Sequence, residues 1–211
     1  MRMILVLLLS IVPALAQSSV PSNSNEIHQL FLEDQSDRGP TGNTGPSDQI
    51  ALRDAKRLAR AKELLQSGAL VSGDDFHDAA FIFQHSLKPD DYLMAHVLAT
   101  AAIAKGDKRS LWIAAASLDR YLQSTGKPQI FGTQYASKSF FYFTQHPVNP
   151  DLNNPDAKDT TISQEPYDSS RISDSVRRTF CVVDLDTQKK NVAALNEHKP
   201  LVRRPQGCPE E

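Results

Sequence analysis

Apolar and polar positions recur with a helical period through the middle of the chain. Phe76, Ala80 and Phe83 fall on one face of the stretch Asp74 to His85. Lys88-Pro89 interrupts that stretch, and Asp90 is placed to cap a second helix running to Lys105. Leu93, Val97, Thr100, Ala101 and Ala104 lie at helical spacing along it. After the Gly106-Asp107 turn, Lys108 to Thr125 reads as a third helix, with Leu111, Ala115, Leu118 and Leu122 on successive turns. The last two helices are apolar nearly all round, which predicts a central place in the core for both. Their short connection predicts an antiparallel hairpin, and their alanines allow the axes to approach closely.

The flanks are less regular. Glu26 to Glu33 predicts a short helix with Ile27, Leu30 and Phe31 on one side. Gly39 to Pro46 is loop by composition. A helix follows from Ser47 or Asp48 to about Gln66, and Gly68 is placed to end it. Beyond Thr125, Gly126 and Pro128 form a stop signal. The aromatic run at 139–143 predicts a short strand. His146 to Asp168, crowded with Pro, Asn, Asp and Ser, predicts a surface excursion or linker. Ser169 to Phe180 and Thr187 to Glu197 predict two more short helices. The expected fold is all-α, a single domain over 26–200 with a helix hairpin at its centre and irregular, aromatic-rich C-terminal loops.

The first residues change the picture. Arg2, the apolar run Met3 to Val12, Pro13 and Ala14-Leu15-Ala16 have the layout of an export signal with an A-x-A cleavage site. The expected organisation is a signal peptide over 1–16, a disordered linker over 17–25, the helical domain, and a tail over 201–211. No other segment is long and apolar enough to span a bilayer. Export places Cys181 and Cys208 in an oxidising compartment, secreted or periplasmic. A disulfide there would close a loop stabilising the fold by roughly 3–4 kcal/mol; the other reading is a buried Cys181 and a free Cys208. Forty per cent hydrophobic residues and a net charge of −2 over 211 residues fit an ordinary packed domain and give no bulk charge for nucleic acid. Arg53, Lys56, Arg57 and Arg60, interrupted by Asp54 and Glu63, read as a solvated helix face.

Four polar motifs stand out: Asp34-Gln35 with Arg38, Gln84-His85, Asp119-Arg120, and Gly126-Lys-Pro-Gln-Ile-Phe-Gly-Thr-Gln134. On these residues the chain resembles an uncharacterised family of bacterial domains of unknown function. That family carries D-Q-x-x-R, Q-H, D-R and G-[KR]-P-Q-x-[FY]-G-T-Q, and the resemblance covers roughly residues 26–200. Relatives with a second histidine, as in Q-H-A-D-H, differ from the Gln84-His85-Ser86-Leu87 found here, so no role for that histidine transfers. The resemblance implies an identity without an activity.

Helix geometry suggests where these residues meet. His77 and His85 are ~12 Å apart on one helix, too far to share an ion. Counted from the Gly106 turn, His96 and Asp119 differ in level by only ~4 Å across the hairpin. His85, His96 and Asp119 are therefore expected in one layer, with Gln84, Arg120 and Gln134 nearby. Three readings stay open: a structural hydrogen-bond network, a pocket recognising a small molecule or protein partner, and a catalytic or metal centre. In the last, two histidines and a carboxylate hold an ion, or His85 is a general base oriented by Asp119. Gln129, Thr133 and Gln134 either hold a rigid turn together or face a ligand, with Gly132 permitting close backbone approach. Arg38 is either a salt-bridge partner or an anion receptor at the same pocket. H-E-x-x-H, G-x-S-x-G, P-loop, G-x-G-x-x-G and EF-hand patterns are absent, and the sequence leaves any cofactor unknown. The reading that emerges is an exported helical binding module; the alternative is a metal-assisted or acid–base hydrolase using His85, His96 and Asp119.

Overall fold

The computed structural model describes residues 24–38, 47–145 and 150–209. The expected signal peptide, most of the linker, the Gly39–Pro46 loop and the last two residues of the tail lie outside them. The helices are α1 (Ser24–Ser36), α2 (Ser47–Gln66), α3 (Gly73–Gln84), α4 (Pro89–Ala104), α5 (Ser110–Ser124), α6 (Lys138–Gln145), α7 (Asp174–Thr179) and α8 (Leu185–Asn196). A two-residue pair, β1 (Ala136–Ser137) and β2 (Ile162–Ser163), runs antiparallel with Ala136 opposite Ser163. The fold is mainly helical, as the periodicity predicts. No helix of the described residues is long and apolar enough to cross a membrane.

Local chemistry explains most boundaries. Ser72 starts α3 through a reciprocal capping box, accepting from the Asp75 amide while the Asp75 carboxylate accepts from the Ser72 amide. Pro89 occupies the first turn of α4 rather than separating it from its cap; Lys88 is the N-cap residue and Asp90 lies inside the helix. α1 is longer than expected and begins inside the segment read as linker.

α3 packs between α1 and α4, α4 pairs with α5, and α2 lies across α1 and α3. Five consecutive residues of α5, Ile113 to Ser117, are buried, so α5 is central as expected. α4 lies between α3 and α5, but only one of its faces is covered: Ala95, Leu98, Ala99 and Ala102 are buried, while Leu93, Met94 and Val97 are exposed. The alanine side wins because small residues let α3 and α5 approach from both flanks, and the bulkier stripe is left outside.

The C-terminal half departs further from its sequence pattern. Residues 139–143 belong to helix α6, not a strand; the Ser137 hydroxyl accepts from the Phe140 amide at 3.1 Å and starts the turn. The described part of the 146–168 segment is no loose excursion. It holds a 3₁₀ turn, strand β2, a cis Glu165–Pro166 peptide and the buried Gln164. The helix expected from Ser169 begins only at Asp174. The Ser169 and Ile172 carbonyls accept instead from the buried Arg177 guanidinium, at 2.7 and 2.9 Å. Cys181 and Cys208 form a disulfide with Cα atoms 5.8 Å apart, tying the tail to the end of α7.

Candidate functional site

The four motifs converge at one end of the bundle. The C-terminal end of α1 brings Asp34, Gln35 and Arg38. The end of α3 brings Gln84 and His85, α5 brings Asp119 and Arg120, and the loop after α5 brings Gln129, Thr133 and Gln134. They form one continuous hydrogen-bonded chain. Arg38 Nη1 donates to Asp34 at 2.9 Å, and His85 Nδ1 lies 3.0 Å from the same carboxylate. The Gln84 amide nitrogen stands 3.4 Å from His85 Nε2, and the Gln84 carbonyl accepts from Arg120 Nη1 at 2.7 Å. Arg120 Nε donates to Gln134 Oε1 at 3.2 Å, and Gln134 Nε2 donates to the Thr133 hydroxyl at 3.0 Å. Thr133 donates in turn to Asp119 at 2.8 Å.

Asp119 serves the loop. Its carboxylate accepts from the amides of Ile130 at 2.8 Å, Phe131 at 3.0 Å and Thr133 at 3.0 Å. Burial raises its pKa, and those hydrogen bonds oppose the rise. The Gln129 side chain clamps the same loop, donating to the Gln134 carbonyl at 2.9 Å and accepting from the Gln134 amide at 3.0 Å. Gly132, at φ +83°, packs its backbone against Gln188 and Tyr167; a Cβ there would meet the Tyr167 hydroxyl at 2.7 Å. Its close approach is to the protein's own side chains rather than to a ligand. Gln129, Thr133 and Asp119 thus build the loop.

The expected layer of His85, His96 and Asp119 does not form. His96 Nδ1 donates to the Ala114 carbonyl at 2.8 Å, where it ties α4 to α5. Between His85 and Asp119 stand Gln84, Arg120, Gln134 and Thr133. No group of three or more His, Cys, Asp or Glu among the described residues is arranged to hold a metal ion. The level count along two straight helices overlooked the direction of each side chain. The carboxylate that orients His85 is Asp34, not Asp119. Arg38 does not line the cavity beside His85; it is committed to Asp34 and, at 2.6 Å, to Asp54. The basic strip of α2 is likewise neutralised. Arg53 and Arg57 pair with Asp37, Arg60 with Glu26, and Arg57 is buried rather than solvated. Hydrogen bonds from Arg53, then Arg57, outweigh burial and hold Asp37 down to about 2.

His85, Arg120 and Gln134 do share a cavity of about 560 Å³. Leu87, Tyr92, Tyr135, Phe140 and Pro166 give it apolar walls, and Gln123 adds an amide. Arg120 sits against Tyr92, its guanidinium carbon 5.7 Å from the ring centroid. Burial lowers its pKa, yet an arginine stays protonated. No carboxylate among the described residues stands within ion-pair distance of it. His85 is held neutral chiefly by burial; Asp34 pulls its pKa up, while Arg38 and Arg120 push it down. Nδ1–H therefore faces Asp34 and Nε2 carries the lone pair. Sequence reasoning missed Asp34 as the histidine's partner, although its motif was visible. It also missed Tyr92 and Tyr135, which belong to none of the four motifs, and Phe140, which falls in the run expected as a strand.

A second cavity, of about 310 Å³, lies behind the loop between Trp112, Thr133, Val182, Asn191 and Val202. The tail closes it: the Val202 amide and carbonyl both pair with the Asn191 side chain.

No family model matches the chain, and no curated protein or solved structure is similar to it.

Proposed function

We propose that the protein is an exported binding module that takes a small organic anion with an apolar body into the Arg120 cavity. One observation carries this reading: the partly buried Arg120 guanidinium lines a cavity with aromatic walls and has no carboxylate partner among the described residues. A charge drawn partly out of water gains from a counter-ion, and a planar guanidinium suits a carboxylate. Tyr92, Tyr135 and Phe140 supply surface for the ligand's apolar part. Membership of the uncharacterised bacterial family belongs to the same proposal, and the convergence of its four motifs in one network supports it. Export rests on the Met1–Ala16 pattern, and the disulfide is compatible with it.

Calorimetric titration with benzoate, and with uncharged benzamide as control, tests the site. Benzoate binds and benzamide binds at least tenfold more weakly. Arg120→Gln loses tenfold to hundredfold in benzoate affinity, about what a hydrogen bond to a charged group is worth. Equal affinity for the two compounds, or for benzoate in the two proteins, overturns the reading. Intact-mass analysis of protein recovered from an exported fraction tests cleavage before Gln17.

A further inference from the structure

We infer that His85, oriented by Asp34, is a general base directed into this cavity, and that the anion it takes is an ester carrying one free carboxylate. The inference rests on the anion-binding reading and adds an activity to it.

One ring nitrogen of His85 is anchored, and the residue lines the cavity. Nδ1 lies 3.0 Å from the fully buried Asp34 carboxylate. That carboxylate is itself fixed by Gln35 Nε2 at 2.8 Å and Arg38 Nη1 at 2.9 Å. The imidazole therefore has one tautomer and one orientation. Its side chain keeps 14 % exposure, and His85 lines the cavity. Nε2 has one polar contact among the described residues, the Gln84 amide nitrogen, at the long distance of 3.4 Å. A water displaces so weak a contact easily. Arg120 donates to the backbone carbonyl of Gln84 and lines the same cavity as His85, so a carboxylate held by Arg120 brings the rest of its molecule beside His85.

In the reaction, Nε2 takes a proton from water as the water oxygen bonds to the ester carbonyl carbon. The carbonyl electron pair moves onto its oxygen. That pair then returns, the bond to the leaving alkoxide breaks, and Nε2–H gives its proton to the alkoxide. One ester and one water become one carboxylic acid and one alcohol, with no change of oxidation state. Asp34 is a positioning residue and Arg120 holds the free carboxylate.

The mono-4-nitrophenyl esters of succinate, glutarate and adipate are the probes, with 4-nitrophenyl butyrate as uncharged control. The expected result is release of 4-nitrophenolate from at least one hemi-ester, tenfold faster than from the control. His85→Gln lowers that rate at least a hundredfold, the lower bound for a lost general base. The wild-type rate rises with pH and levels off below the ordinary histidine range, because burial lowers the His85 pKa. Asp34→Asn moves that midpoint lower still, since Asp34 raises it; a purely structural role would leave it in place. If His85→Gln does not fold, the Asp34→Asn midpoint and carbethoxylation of wild-type His85 by diethyl pyrocarbonate decide. His85 is expected to be modified and to be protected by benzoate. If benzoate binds but no hemi-ester is hydrolysed, or if His85 is inert to the reagent, the base is overturned and the binding reading stands. If benzoate does not bind, both fall.

Discussion

Ala79, Ala80, Ala95, Ala99 and Ala114 fill the centre of the helical bundle, while Gln129, Gln164, Gln188 and Arg177 fill the centre of the C-terminal half. In the bundle the helices satisfy their own backbone, so the core is mainly apolar: the alanines let axes approach, and Ile27, Leu64, Phe81, Phe83 and Ile113 fill the space around them. The chain after Thr125 has short elements joined by long irregular stretches, and the peptide groups of those stretches need other partners. Side-chain amides supply them. Gln188 Nε2 donates to the carbonyls of Phe131 at 2.9 Å and Val183 at 2.8 Å, and its oxygen accepts from the Tyr167 hydroxyl at 2.9 Å. Gln164 reaches the Gly132 carbonyl, and Gln129 receives the Gln164 carbonyl on its amide. Apolar packing tolerates substitution when volume is kept; a core of directed hydrogen bonds tolerates far less. The cavity lies where the two regimes meet. Its histidine comes from the bundle, and its Gln134 comes from the amide-built loop.

The sharpest way to break that comparison is to disturb the polar half at its tightest point. Gly132→Ala forces a left-handed backbone on a residue with a side chain, and drives its Cβ into Gln188 and Tyr167. Strain and overpacking cost ~1–3 kcal/mol each, so a loss on the order of 4 kcal/mol is expected from urea unfolding. Near-UV circular dichroism should lose the C-terminal tyrosine signals before far-UV helix is lost. A loss under about 1 kcal/mol, smaller than either contribution alone, would mean that the amide network is soft.

Removing the disulfide is a somewhat smaller break. The bond closes a loop over a sequence separation of 27, and Cys181→Ser with Cys208→Ser should cost about 3–4 kcal/mol by chain entropy. Residues 199–209 should then gain protease sensitivity first, because apart from the bond the tail is held by a few contacts such as Val202 with Asn191 and Arg204 over the Trp112 ring. The apolar bundle should keep its helicity. If bundle and tail unfold together in the oxidised and double-serine proteins alike, the two halves are one cooperative unit and the contrast is only one of composition.

The same contrast explains what was legible in the sequence. Helical periodicity marks apolar faces, so α2, α3, α4 and α5 could be read nearly to their ends. It reports which positions are apolar but not which side is covered. Leu93 and Val97 look like core by spacing, yet Ala95, Ala99 and Ala102 hold that place. In the C-terminal half Phe131, Val182 and Val183 are buried beside Gln129, Gln164, Arg177, Gln188 and Asn191; the polar residues carry no burial signal in a sequence, and the segment after 146 reads as loose loop. The candidate site was half legible for the same reason. Its motifs mark His85, Arg120 and Gln134 correctly as neighbours. Their partners depended on side-chain direction, which left Asp119 to the loop and gave His85 to Asp34.

The bundle's own polar intrusions sharpen the comparison at the smallest scale. His77 is buried on α3, with Nδ1 2.8 Å from the Ser110 hydroxyl and Nε2 without a hydrogen-bond partner among the described residues. Burial pushes its pKa from 6.5 down to about 4, against the pull of Asp107. Its neighbour Asp78 is pushed by burial from 3.8 up to about 6, against the pull of His28. The two act with opposite signs. Below pH 6.5 the unfolded chain protonates His77 and the folded chain does not, so stability falls as pH drops toward 4. For Asp78 the folded state holds the proton more tightly. Its contribution is complete below 3.8 and fades as pH rises through 6. Between these limits the two slopes largely cancel in the wild type. Asp78→Asn should uncover the His77 slope, with stability rising with pH more steeply than in the wild type. His77→Gln should uncover the Asp78 slope, in the other direction. Each difference is bounded by ~1.4 kcal/mol per pH unit, the linkage limit for one proton. Urea unfolding of the three proteins at closely spaced pH values measures both. Parallel stability profiles would show that these side chains reach water before the bundle opens, and that its interior is less dry than the alanine packing implies.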